Sequence, residues 1–96
     1  MRRAEVVEVI GRHIAQIARF DVRSLEIFGS VARDEAGPHS DVDFLVRFGG
    51  RTTFDQYMGL KLLLEDVLDR RVDLVTEKAL RPELRPGIER EAVRVA

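Results

Sequence analysis

Gly29-Ser30, Asp41-Val42-Asp43 and Asp73 are the residues of this chain whose types and spacing suit chemistry. Residues two apart on a strand point to one face, so Asp41 and Asp43 project together while Val42 and Phe44 turn to the other side. Two carboxylates held this close repel each other unless a cation or proton intervenes. Hard oxygen ligands suit Mg²⁺ or Mn²⁺, which keep waters and share a substrate's phosphate oxygens. Asp73, in Arg71-Val72-Asp73-Leu74-Val75, is an acid set in an apolar strand. If that strand lies beside the one carrying Asp43, its carboxylate reaches the same ions. Two ions about 3.5–4 Å apart activate an attacking hydroxyl and stabilise a leaving pyrophosphate. Asp41, Asp43 and Asp73 are thus the candidate metal ligands and catalytic acids, and Asp73 is the candidate acceptor of the hydroxyl proton.

The Gly-Ser turn suits the other half of such a reaction. Gly29 lets the backbone approach a phosphate closely. Ser30 reads as the N-cap of a short helix over Val31 to Glu35, whose N-terminus favours an anion. Arg33, one turn on, adds a positive charge near a triphosphate. Ser40 completes the candidate nucleotide-binding set, with capping of the loop before Asp41 as its main expected duty.

Each part has a plainer reading by itself. A Gly-Ser after a strand is usually a turn, an Asp-x-Asp is usually a solvated strand start, and Arg33 would pair with a nearby acid. The occurrence of all parts in order on suitable elements favours a metal and nucleotide site. His39 reads as a loop histidine, because hard Mg²⁺ prefers oxygen. His13 reads as a boundary residue of the first helix and Tyr57 as core packing. Arg81, Arg85, Arg90 and Arg94 read as a solvated helix face.

The elements that must position these residues follow from hydrophobic periodicity. Val6, Val9, Ile10, Ile14 and Ile17 recur at spacings of three and four, which predicts a first helix over about residues 3–19. Strands are predicted at Leu25 to Phe28, Asp41 to Phe48 and Val72 to Val75. Phe54 to Leu68 is the strongest helix, with Tyr57, Leu60, Leu64, Val67 and Leu68 as its stripe and Leu63 widening it. Pro82 and Pro86 predict a turn near Leu80 to Leu84 and a last helix over about Pro86 to Val93, with Ile88 and Ala92 facing inward. The fold class is α/β (α+β): a small mixed sheet of about three strands with helices packed on it, in one domain over residues 1–96. Strand directions are not readable from this pattern.

Composition narrows the function. The 96 residues are 45% hydrophobic and contain no Cys, so a core is expected and thiolate chemistry is excluded. A net charge of −1 with interspersed signs gives no basic face for nucleic acid, and no direct nucleic-acid binding is expected. No apolar run approaches the roughly 20 residues of a membrane span. A cytoplasmic protein is the expectation.

At these residues the chain resembles the minimal nucleotidyltransferases of the DNA polymerase β-like superfamily. The shared pattern is Gly-Ser, a spacer, Asp-x-Asp and a later strand acid, here Gly29, Ser30, Asp41, Asp43 and Asp73. The resemblance also covers Leu80-Arg81-Pro82-Glu83-Leu84 and Ile88-Glu89-Arg90-Glu91-Ala92-Val93, so it spans nearly the whole chain. It implies a polymerase β-like nucleotidyltransferase core and a Mg²⁺-dependent enzyme with ATP as substrate. It further implies an antitoxin of a toxin–antitoxin pair, transferring AMP to a hydroxyl of a HEPN-domain toxin and binding that toxin. One departure stands out: Asp34 occupies a position where many relatives have Gly, which bears on the phosphate geometry and on Arg33.

The chain is too short to carry its own acceptor pocket, so a hetero-oligomer with the toxin, or a homodimer, is expected to supply the acceptor surface. Two other functions compete: an antitoxin that acts by occlusion without catalysis, and nucleotidylation of a small molecule. Enzymes of the latter kind usually bring a further helical domain. A templated polymerase would need the basic groove that this composition lacks.

Overall fold

The computed structural model describes residues Met1–Ala96. Its elements, in chain order, are helices α1 (Arg3–Gly11) and α2 (Ile14–Ala18), strand β1 (Val22–Phe28), helix α3 (Gly29–Ala32), strand β2 (Val42–Phe48), helix α4 (Phe54–Leu68), strand β3 (Val72–Thr76), a single tight turn of helix at Glu77–Ala79, helix α5 (Arg85–Glu91) and strand β4 (Val93–Arg94).

The sheet has four strands in the order β3-β2-β1-β4, one more than expected. β1 runs antiparallel to both β2 and β4, while β2 and β3 are parallel. A parallel pair needs a long crossover, and α4 supplies it. Thr53 starts α4 by accepting a hydrogen bond from the Gln56 N–H at 3.1 Å, and the Gln56 side chain accepts from Thr53 N–H at 3.2 Å. This reciprocal cap satisfies two donors that a helix start otherwise leaves open. The expected stripe is the buried one: Leu60, Leu64 and Leu68 are buried, and Tyr57, Leu63 and Val67 pack against the core.

One sheet face belongs to that core. Leu25, Ile27, Val42, Phe44, Val46, Val72 and Leu74 join Val6, Ile10 and Ile17 of the first helices there. The alternate residues Glu26, Asp43, Leu45, Arg47 and Asp73 fall on the second face. Leu45 is also buried, although it lies outside the main cluster. The Glu77–Ala79 turn packs on β2 at this face. Arg47 fastens it: it bonds Glu26 of β1, and its Nε donates to Glu77 Oε2 at 3.0 Å.

Several boundaries differ from expectation. The first helix is broken in two at Arg12–His13, just after Gly11, a residue that costs about 1 kcal/mol in a helix interior. The break turns Ile14 outward, to 44% exposure, while Ile17 returns to the core. The helix expected over Val31 to Glu35 instead spans Gly29–Ala32, so Phe28 is its N-cap and Ser30 lies inside it. The last helix ends at Glu91, and Val93–Arg94 leave it to pair with β1. Ile88 and Ala92 are half-buried. No helix is long and apolar enough to cross a membrane.

Candidate functional site

β1 ends where β2 and β3 begin, because β1 is antiparallel to β2 and β3 is parallel to it. Phe28 faces Asp43 across the first pair, and Asp43 faces Asp73 across the second. The turn at Gly29 and two of the three acids therefore meet at one end of the strands. Asp41 lies one residue before β2 and is exposed.

Gly29 has φ +73, in the left-handed region that favours glycine. A Cβ at this position would stand 2.2 Å from Asp43 Oδ2. Both conformation and space therefore require Gly, and the close approach seats the turn on the Asp43 carboxylate. Ser30 is half-buried, and its carbonyl accepts from Glu35 N–H at 2.8 Å, closing the far side of the turn.

Burial, then the charges of Asp73 and Asp41, push the Asp43 carboxyl up from 3.8 to about 6. Asp43 thus feels the charges of both other acids. They do not converge into a closed cage with three side chains around one point. Mg²⁺ does not need one, since it is usually held by one or two carboxylates together with substrate phosphates. An all-oxygen donor set whose central carboxylate holds its proton unusually firmly fits a hard divalent cation.

Arg33 is exposed but engaged. Its Nη1 donates to Glu91 at 2.7 Å and its Nε to Glu35 at 3.1 Å, so the plainer reading of an ion pair describes it. Glu91 also accepts from the Gly29 N–H at 2.9 Å. The Arg33 hydrogen bond holds the Glu91 carboxyl below its ordinary range, and the Gly29 bond adds to this. Sequence reasoning did not single out Glu91. On an exposed helix it looks like any solvated acid, and no local pattern says that α5 packs against α3.

Ser40 turns to its own loop, its hydroxyl accepting from Gly37 N–H at 2.9 Å. It lines a polar cleft of about 550 Å³ with His39, Asp41, Asp69, Arg70 and Arg71. Of the expected site residues only Ser40 and Asp41 line this cleft. Tyr57 packs against the core and donates to the Leu74 carbonyl at 2.5 Å. Burial chiefly, with the Asp73 charge, raises its hydroxyl pKa. Asp34 has φ +56, the conformation for which Gly is the usual choice. Its carboxylate turns away from the turn and accepts from Arg3 N–H at 2.7 Å, at the start of α1.

Comparison with known proteins identifies the family and agrees with the fold. The nucleotidyltransferase domain family matches residues 12–95. A protein adenylyltransferase of Thermococcus cleftensis, MntA, is 36% identical over 92 residues, covering 95% of this chain and 93% of the relative. A solved structure provisionally described as a minimal nucleotidyltransferase is 39% identical with a TM-score of 0.84, over 97% of this chain and 95% of the other. A solved complex of tri-AMPylated Shewanella oneidensis HEPN toxin with MNT antitoxin shares the fold at 18% identity, with a TM-score of 0.65 over 94% of this chain and 71% of the other.

Proposed function

This chain belongs to the nucleotidyltransferase domain family, and from that premise we propose that it is a protein adenylyltransferase that moves AMP from ATP to a hydroxyl of a HEPN-domain toxin. The observation that carries the chemistry is the pairing of Asp43 with Asp73 at one end of the strands, with Gly29 packed on Asp43. The nature of the acceptor is supported by what similar proteins do. The Thermococcus relative is a protein adenylyltransferase, and the Shewanella complex pairs an AMP-bearing HEPN toxin with an antitoxin of this fold.

In this reading the Gly29-Ser30 turn seats the triphosphate beside Asp43. The acceptor oxygen attacks the α-phosphorus, the bond from that phosphorus to the bridging oxygen breaks, and pyrophosphate leaves with the bond's electron pair. Asp73, across from Asp43, takes the hydroxyl proton. Asp41, Asp43 and Asp73 would hold Mg²⁺, or Mn²⁺ in its place. When bound, the metal neutralises phosphate charge and stabilises the developing oxyanions. The polar cleft gives open space beside Asp41, and the acceptor surface comes from the partner.

The test uses the purified chain, labelled ATP, Mg²⁺ and a HEPN-domain toxin. Label appears on the toxin, and Asp41→Asn/Asp43→Asn abolishes it. Unlabelled toxin, or equal labelling by the double variant, refutes the proposal. Neutralisation of the toxin in cells by a folded double variant would instead establish occlusion.

A further inference from the structure

The carboxylate of Glu91 holds both ends of α3. Oε1 accepts from the Gly29 N–H that opens the helix, and Oε2 accepts from Arg33, its C-cap residue. A helix of four residues does not sustain itself, because its first turn fixes several dihedrals for one hydrogen bond. The N-cap residue Phe28 offers no side-chain bond. Val31 and Ala32 anchor the turn in the core, and its polar ends at Gly29 and Arg33 are held by Glu91 of α5.

What the turn's orientation controls is close at hand. Gly29 lies so near Asp43 that a methyl group between them would meet Oδ2 at 2.2 Å. A rotation of α3 would change how Ser30 and Asp43 face one another. Charge supports the same conclusion. A bare carboxylate here would repel a triphosphate, whereas the Glu91 charge is matched by Arg33 at 2.7 Å.

We propose that Glu91 is a positioning residue of the nucleotide site, clamping the Gly29-Ser30 turn against Asp43 through Gly29 N–H and Arg33. Arg33 completes this clamp as its main duty. The proposal rests on the reading that the Gly29-Ser30 turn holds the triphosphate of ATP.

Titration calorimetry with Mg²⁺ and a non-hydrolysable ATP analogue tests it, since it separates the binding-competent fraction from Kd. Glu91→Gln keeps an acceptor for Gly29 N–H but loses the ionic contact with Arg33. Its Kd rises about tenfold, and that of Glu91→Ala about a hundredfold, the scale of a misplaced site. In transfer assays the KM for ATP rises likewise, while the KM for the acceptor stays as in wild type. A merely structural role would lower the competent fraction and leave Kd unchanged, and that result overturns the proposal. If Glu91→Ala does not fold, the wild-type Gly29 amide resonance decides. It shifts as Glu91 titrates below the ordinary glutamate range, and a resonance indifferent to that titration also overturns the clamp. Wild-type protein that binds no analogue refutes the nucleotide reading itself. Binding by wild type and Glu91→Gln with equal Kd refutes only the role of Glu91.

Discussion

Asp43 of β2 stands directly across from Asp73 of β3 in the parallel register, and the Asp73 charge helps to raise the Asp43 carboxyl to about 6. The two acids come from strands joined by the whole of α4, so their meeting is a product of the crossover. Their roles separate by substitution. Asp43→Asn should lose both MgATP binding and transfer. Asp73→Asn should bind MgATP within a few fold of wild type yet lose transfer by roughly a thousandfold, the order for removing one preorganised group from a transition state. Calorimetry and acceptor mass measure the two effects.

The raised Asp43 carboxyl fixes a pH dependence. A cation needs the ionised form, so Mg²⁺ binding and transfer decline as pH falls through about 6. Stability of the metal-free protein has the opposite sign. The folded state holds this proton more tightly than the unfolded chain, so the group's contribution is fully present below 3.8 and lost as pH rises through about 6. The interval is roughly two pH units at about 1.4 kcal/mol each, and solvent screening at a partly exposed group reduces the effect to about 1 kcal/mol. Thermal melts in EDTA should show Asp43→Asn more stable than wild type above pH 7 and equal to it below 3.8.

Gly29→Ala separates stability from activity. Left-handed backbone costs a non-glycine residue about 1–2 kcal/mol, a modest loss in urea unfolding. The new methyl also displaces the Asp43 carboxylate, because 2.2 Å leaves no room for both. Transfer should fall by at least about a hundredfold while the far-ultraviolet dichroism stays as in wild type.

Asp34 answers to a different helix. Asp34→Gly relieves the left-handed strain and loses the bond to Arg3 N–H, so the effects offset to within about 0.5 kcal/mol. Asp34→Ala keeps the strain and loses the bond, costing about 1–2 kcal/mol. Urea unfolding measures both, and MgATP affinity should follow neither.

Arg47 couples the tail to the sheet. Arg47→Ala leaves Glu26 and Glu77 without their shared cation and should cost about 1–2 kcal/mol. Amide exchange should rise at the Glu77–Ala79 turn before it rises in β2.

Legibility in the sequence followed the length of each pattern. The α4 stripe repeats over four turns and identified its buried residues. Alternation in β2 and β3 put Asp43 and Asp73 opposite the core, although only the structure shows the strands parallel and in register. β4 escaped notice because two residues carry no period. The break in the first helix was masked by a stripe that continues, through Ile14, across a weak point at Gly11. Ser30 looked like an N-cap by residue type, but the helix starts two residues earlier, at Gly29 with its left-handed φ. Glu91 was invisible for a different reason: its role depends on where α5 docks, which local spacing does not encode.

The bond between Glu91 and Gly29 joins residues 62 positions apart. Contacts of such span form late, since loop-closure entropy must be overcome before they contribute. The Gly-Ser turn can be made, and β1 and β2 paired, well before α5 arrives to hold it. On the ribosome the order is the same, with the turn emerging long before its anchor. Removing a contact that forms this late acts mainly on unfolding, so Glu91→Ala should speed unfolding while leaving the refolding rate close to wild type.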